Sequence, residues 1–243
     1  MGSPQARRRT GHWCSAELVD TVRPFTDPAA VAGYAQSTPR RVPGYADLHR
    51  MAMLLLAERA PRRANILVYG AGGGLELKAF ADGQPGWRFV GVDPSAEMLN
   101  VARDVLGDHL ERIDLLQGYI SDVPQCHFDG ATCLLTLHFL SLGERLAVLK
   151  GIHGRLKPGS SFVVAHHSCP VGDDPQTWLA RSLAFASATA REFAQASTSA
   201  RLLAERLPIL PADEEESLLS RAGFSNVALF YAALSFRGWV AVA

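Results

Sequence analysis

The sequence is short of cysteine, of net charge and of long apolar runs, and each shortage removes a class of protein. The four cysteines, Cys14, Cys126, Cys133 and Cys169, are scattered and none forms a CxxC pair. A disulfide framework and a zinc site are therefore not expected, and reduced cytoplasmic thiols are. Lys+Arg and Asp+Glu both number 24, for a formal net charge of zero. With no basic stripe visible, direct nucleic-acid binding is not expected. No apolar run approaches the roughly 18–20 residues of a membrane span, so no membrane association is expected. Arg7-Arg8-Arg9 has no apolar stretch behind it, so residues 1–11 read as a disordered tail rather than a secretory signal. The full sequence, 48% hydrophobic and 20% charged over 243 residues, has the composition of a globular protein. That length suits one large α/β domain with a sizeable core.

Along the chain, short apolar runs alternate with helical stretches. Residues 12–60 read as a helical lid, with Thr26-Asp27-Pro28 a helix start and Tyr45–Ala60 a helix after the Pro43-Gly44 turn. Strands are expected at Asn65–Tyr69, Arg88–Val92, Ile113–Gln117, Ala131–Leu135 and Ser161–His167. Helices are expected between them at Leu75–Ala81, at Ala96–Leu106 behind the N-cap Ser95, and at Gly143–Leu156. This alternation predicts a parallel sheet of right-handed βαβ units. The pattern then changes. Residues 175–222 form an Ala-rich helical insertion interrupted at Pro208 and Pro211, and two strands, Asn226–Ala232 and Leu234–Val242, close the chain. One domain spanning residues 1–243 is expected.

The glycine cluster Gly70-Ala71-Gly72-Gly73-Gly74 follows a strand and opens a helix. Glycine allows a tight turn and close approach of a ligand, and the helix start offers unpaired N–H groups. Asp93 stands about 20 residues on, at the end of the next strand, where an acid can accept hydrogen bonds from a ribose diol. Together these predict a nucleoside-cofactor site. The dinucleotide fingerprint would need a glycine where Leu75 stands, which counts against NAD.

Gly70-x-Gly72-x-Gly74 instead resembles the first motif of the class I S-adenosylmethionine-dependent methyltransferases. Gly91-Val92-Asp93 followed by Ser95 and Met98-Leu99 fits the same pattern. So do Leu156-Lys157-Pro158-Gly159 and Ala222-Gly223-Phe224. The resemblance covers about residues 64–243. It implies a Rossmann-like, seven-stranded, mostly parallel α/β sheet whose last strand is antiparallel. It also implies S-adenosyl-L-methionine as cofactor.

Two rarer stretches, Val42-Pro43-Gly44-Tyr45 and Thr136-Leu137-His138-Phe139-Leu140, are similar to the carboxy-S-adenosylmethionine synthase branch, as is Phe236-x-Gly238. Carried across, Tyr45 meets the cofactor's methionine end, and Gly70, Ala71, Gly72 and Gly74 line it, with Leu135 beside them. Asp93 and Pro94 hold the ribose side, with Met98 next to them, and Tyr119 and Ile120 hold the adenine side. Arg201 falls where that branch has an arginine reaching a cofactor carboxylate from the partner subunit, a task suited to a planar, bidentate donor. The chain departs from the branch at three places. Tyr119 stands for an acid, Leu134 for an asparagine, and Val68 for the acid ahead of the glycine loop.

For acceptor chemistry the candidates are His138, after the fourth strand, and His166-His167 at the end of the fifth. Imidazole suits proton transfer near neutral pH. Adjacent residues on a strand point opposite ways, so His167 is taken as the member facing the cleft. Each histidine can equally be a structural, half-buried one. A metal held with Asp173 or Asp174 would lack the usual ligand spacing, and none is expected. The expected function is methyl transfer to a small-molecule acceptor, in biosynthesis, by direct displacement. The alternatives are modification of the cofactor, as in the synthase branch, and a non-catalytic cofactor-binding subunit. A homodimer through the helical insertion is a further expectation.

Overall fold

The computed structural model describes Val31 and residues 34–243. The expected tail at 1–11, the helix start at Thr26-Asp27-Pro28 and Cys14 lie outside the described residues.

The elements, in chain order, begin with α1 (Tyr34–Arg41), α2 (Tyr45–Ala57), β1 (Asn65–Tyr69), α3 (Leu75–Gly83) and β2 (Arg88–Asp93). Next come α4 (Ala96–Leu106), β3 (Ile113–Gln117), β4 (Phe128–Leu134), α5 (Leu142–His153) and β5 (Leu156–His167). The last are α6 (Pro175–Ala186), α7 (Ala190–Ala204), α8 (Ala212–Ala222), β6 (Ser225–Ala233) and β7 (Phe236–Val242). The seven strands form one sheet in the order β3-β2-β1-β4-β5-β7-β6. β1 to β5 pair in parallel, and β7 runs antiparallel to both β5 and β6. Six strands thus point one way and β7 alone opposes them, as the resemblance implies.

Period-two alternation divides the core. From β1, Ile66 and Val68 enter a layer with Leu56 of α2, Phe80 of α3 and Ala102 of α4. Leu67 and Tyr69 enter the opposite layer with Leu149 and Ile152 of α5 and Leu218 of α8. Ser95 caps α4 by accepting the Met98 N–H at 3.1 Å, as its position in the sequence indicates.

Several boundaries move for physical reasons. β4 starts at Phe128, not Ala131, because Asp129 is compatible with burial. Its carboxylate accepts the Asn65 N–H at 2.8 Å and Lys157 Nζ at 2.5 Å. Leu135 lies outside β4, with a left-handed φ of 57°. Leu156 is not the end of a helix. It pairs with Phe128, so α5 stops at His153 and Lys157-Pro158-Gly159 belongs to β5. The second helix ends at Ala57 rather than Ala60. The helical stretch 175–222 breaks into α6, α7 and α8.

A buried polar tie joins α5, α8 and β5. Arg145 is fully buried and donates through Nη1 to Glu215 Oε1, through Nη2 to the Pro208 carbonyl, and through Nε to the Leu140 carbonyl at 3.1 Å. His166 Nε2 lies 2.9 Å from the same Glu215 oxygen, outside a hydrogen bond's direction. Removing one member of a buried pair strands the other's charge. Glu215→Ala should therefore lower the unfolding free energy in urea at pH 7 by about 3–5 kcal/mol. Arg145→Met with Glu215→Leu should cost less than that single change. A loss below about 1 kcal/mol for Glu215→Ala would show that the tie contributes little.

Candidate active site

The loop after β1 is held against β2. The N–H groups of Gly70 and Ala71 both donate to the Val92 carbonyl, at 2.8 and 2.9 Å. Gly70 has φ of 80°, and a Cβ there would lie 2.0 Å from Thr136 Oγ1 in the loop after β4. Gly74 starts α3 at φ of 79°, with Ala102 of α4 where a Cβ would point. These two glycines are thus demanded by backbone conformation and by neighbours at once.

Asp93 ends β2. Its Oδ2 accepts the Gly72 N–H and its Oδ1 the Ser95 N–H, both at 2.9 Å. Burial raises its pKa, and the two N–H donors oppose that rise. Each carboxylate oxygen retains a second lone pair for a further donor. A ribose diol supplies two such donors, so the residues present fit a nucleoside ligand.

A pocket opens beside the loop. It is lined by Tyr45 and His49 of α2, by Gly70, Ala71 and Gly73, by Leu75 and Glu76 of α3, and by Leu134 and Leu135. Four of the expected cofactor residues, Tyr45, Gly70, Ala71 and Leu135, meet there. Gly72 and Asp93 join through their mutual hydrogen bond. Pro94, Met98, Tyr119 and Ile120 do not line this pocket. Met98 is buried under α4, Tyr119 is exposed, and Ile120 packs partly on the second core layer. The Tyr119 N–H donates to Asp122 Oδ2 at 2.8 Å, which puts an acid next to the position where the resemblance expects one. Arg201 is exposed near the end of α7.

Two pocket residues, Glu76 and His49, carry no signal of their own in the sequence. Glu76 stands where the first turn of a helix commonly has an acid. It is in fact 6% exposed, and it accepts a hydrogen bond from Thr132 Oγ1 of β4. His49 is buried edge-on to the Tyr45 ring at 4.4 Å between centroids. Burial pushes its pKa down to about 4.

The candidate acceptor histidines do meet. The His138 and His167 rings stand 4.7 Å apart, edge to face. His167 Nδ1 is 2.8 Å from Ser235 Oγ and its ring stacks on Phe236, whereas His138 Nδ1 is buried without a partner. Burial lowers the His167 pKa to about 4, and burial plus the neighbouring His167, His166 and Arg145 lowers that of His138 well below 6.5. Both imidazoles are therefore neutral at pH 7. Asp173 and Asp174 stand elsewhere: the first accepts Trp178 Nε1 at 2.8 Å and the second caps α6.

Residues 67–162 match the family model described as a methyltransferase domain. The solved structure of PigF with SAH is similar over 94% of this chain and 69% of its own, at 18% identity and a TM-score of 0.62. Human N-acetylserotonin methyltransferase, solved in complex with SAM, is similar over 96% of this chain and 67% of its own, at 17% identity and a TM-score of 0.57. The chain has the class I S-adenosylmethionine-dependent methyltransferase fold. Among curated proteins, the carboxy-S-adenosyl-L-methionine synthase of Chromohalobacter salexigens is 29% identical over 231 residues, 92% of this chain and 85% of that one. The chain spans 54% of the length of the pyocyanin biosynthetic protein PhzM, which is similar over 79% of this chain.

Within this methyltransferase fold, buried neutral histidines make stability depend on pH. An unfolded histidine binds its proton near pH 6.5, whereas folded His49 and His167 do so only near pH 4. The unfolded state thus holds more protons between these limits, and stability falls as pH drops from 6.5 toward 4. His49→Phe should make that fall shallower by up to about 1.4 kcal/mol per pH unit in urea titrations. An unchanged slope would mean that His49 is not held neutral.

Proposed function

We propose that the chain is an S-adenosylmethionine-dependent methyltransferase acting on a small-molecule acceptor. The reading is carried by one convergence. The glycine turn, the Asp93 carboxylate and the pocket under Tyr45 all lie at the carboxyl ends of the parallel strands, around β1, where strand order reverses. S-adenosylmethionine, when bound, supplies a sulfonium methyl that an acceptor can displace in line.

In this reading Asp93 holds the ribose hydroxyls, with Pro94 and Met98 beside it. The loop from Gly70 through Ala71 and Gly72 to Gly74, with Tyr45 and Leu135, encloses the methionine part. Tyr119 and Ile120 flank the adenine. His138 and His167 face the acceptor as neutral imidazoles. His138 Nδ1, buried and without a partner among the described residues, would hydrogen-bond the acceptor once the site opens to it. Helices α1 and α2 act as a lid, and α6 and α7 as a helical insertion in the single domain. The insertion exposes Phe185, Phe193 and Leu202, a pattern that supports a homodimer through this face, with Arg201 near its rim. Cytoplasmic small-molecule biosynthesis completes the proposal. Among the described residues no helix is long and apolar enough to cross a membrane.

The named relative favours a second reading, synthesis of the carboxylated cofactor. In that reading the carboxylate would be paired by Arg201 from a second copy of the chain, since no lysine or arginine among the described residues lines the pocket itself.

The mass of the ligand released from native protein separates these readings. S-adenosylmethionine or S-adenosylhomocysteine is expected, and a species heavier by a carboxylate would favour the synthase. An empty site with no calorimetric binding of either would favour a non-catalytic subunit. Asp93→Ala should weaken S-adenosylhomocysteine binding by about tenfold or more, since hydrogen bonds to a charged acceptor contribute about 1.5–3 kcal/mol. An unchanged affinity would remove Asp93 from the site.

A further inference from the structure

A carboxyl group is rarely buried without a cation beside it, because desolvation penalises its ionised form. Glu76 is such a group. It sits in the first turn of α3, directly behind the glycine loop, and lines the pocket. The groups facing it are few. From β4, Thr132 donates a hydrogen bond. From α2, Tyr45 and a neutral His49 line the same pocket. Among the described residues, no lysine or arginine lines it. The position ahead of the glycine loop, where the family resemblance expects an acid, is the fully buried Val68. The pocket's carboxyl group comes instead from the first turn of α3, after the loop, and it reaches Thr132, which pairs in register with Val68.

We propose that Glu76 is the anionic receptor for the ammonium group at the amino-acid end of the S-adenosyl ligand. This rests on the reading of the pocket as the cofactor site. The location selects the ammonium, because Glu76 shares its pocket with Tyr45, Gly70, Ala71 and Leu135, the residues assigned to the methionine part. The chemistry agrees. A carboxylate can accept from an ammonium while keeping the Thr132 hydrogen bond, and the added positive charge offsets the desolvation. Without ligand, burial pushes the Glu76 carboxyl up to about 8, so at pH 7 it is mostly protonated. When the ammonium arrives, the carboxyl ionises, and its proton passes to the buffer.

Calorimetry on the full chain at pH 7, in phosphate and in Tris, reads that proton directly. S-adenosylhomocysteine should release about one proton on binding to wild type. 5′-Methylthioadenosine, which keeps the adenosine and thioether but lacks the amino-acid end, should release none. Glu76→Gln should bind S-adenosylhomocysteine about tenfold or more weakly, without proton release, while binding 5′-methylthioadenosine as wild type does. Retained 5′-methylthioadenosine binding also shows that the variant is folded. Equal affinity of the two proteins for S-adenosylhomocysteine would overturn the proposal while leaving the cofactor site intact. So would the absence of proton release in wild type, whatever the variant does. Wild-type protein that binds neither compound would overturn the site reading and this proposal together.

Discussion

The site depends on how closely two loops approach each other. Those following β1 and β4 meet where Gly70 faces Thr136, with no room for even a methyl group between them. The contact follows from topology. β1 lies between β2 and β4, and the chain leaves β1 toward α3 on one face and leaves β4 toward α5 on the other. A crevice must open between diverging crossovers of this kind. The same crowding bends the backbone at Leu135 into a left-handed conformation and turns Leu134 and Leu135 toward the pocket. It also holds Gly72 where its N–H can donate to Asp93, so the loop and the acid are positioned by one another.

A second tie places the lid side. The Tyr231 hydroxyl, on β6, donates to the Pro43 carbonyl at 2.5 Å across 188 residues of sequence. Pro43 belongs to the turn that opens α2, and the first residue of that helix is Tyr45. The antiparallel end of the sheet thereby fixes the entry of the helix that supplies Tyr45 and His49. A late part of the chain, far from the glycine loop, thus shapes the pocket through a single carbonyl.

What was legible in the sequence follows from which forces are local. The glycine turn, Asp93 and the Ser95 cap are local devices, and each stands where its motif indicates. Strands β1 to β5, paired in parallel, are legible as short apolar runs, and the antiparallel β6 and β7 as two further runs that close the chain. The errors cluster where tertiary pairing overrides a local signal. Asp129 interrupts an apolar run, yet it is accommodated in β4 by Asn65 and Lys157. Pro158-Gly159 reads as a break, yet Leu156 on its near side already pairs with Phe128. Glu76 was missed for the same reason. Its importance comes from β4 and α2, which close over it from sequence positions 56 residues after it and about 30 before it. No pattern within α3 signals that burial.

The buried titratable groups of the pocket and of the histidine pair outside its lining are arranged with opposite consequences. His138 and His167 are crowded together and desolvated, and so they stay neutral. Glu76 is desolvated too, but an arriving cation can recover its charge. For a cationic cofactor this division has an electrostatic logic. Two unit charges 4 Å apart interact by about 4 kcal/mol at an effective dielectric of 20, so in the proposed reading a protonated imidazole close to the sulfonium would disfavour the bound cofactor. Burial removes that repulsion without removing the imidazole's capacity to accept a hydrogen bond. The same burial weakens each histidine as a proton acceptor, because a base of pKa about 4 holds little proton affinity near pH 7. In the proposed reading, the pair therefore favours positioning of an acceptor over deprotonation of it. An acceptor that reacts without first losing a proton, or that loses it only as the new bond forms, is the kind such neutral histidines suit.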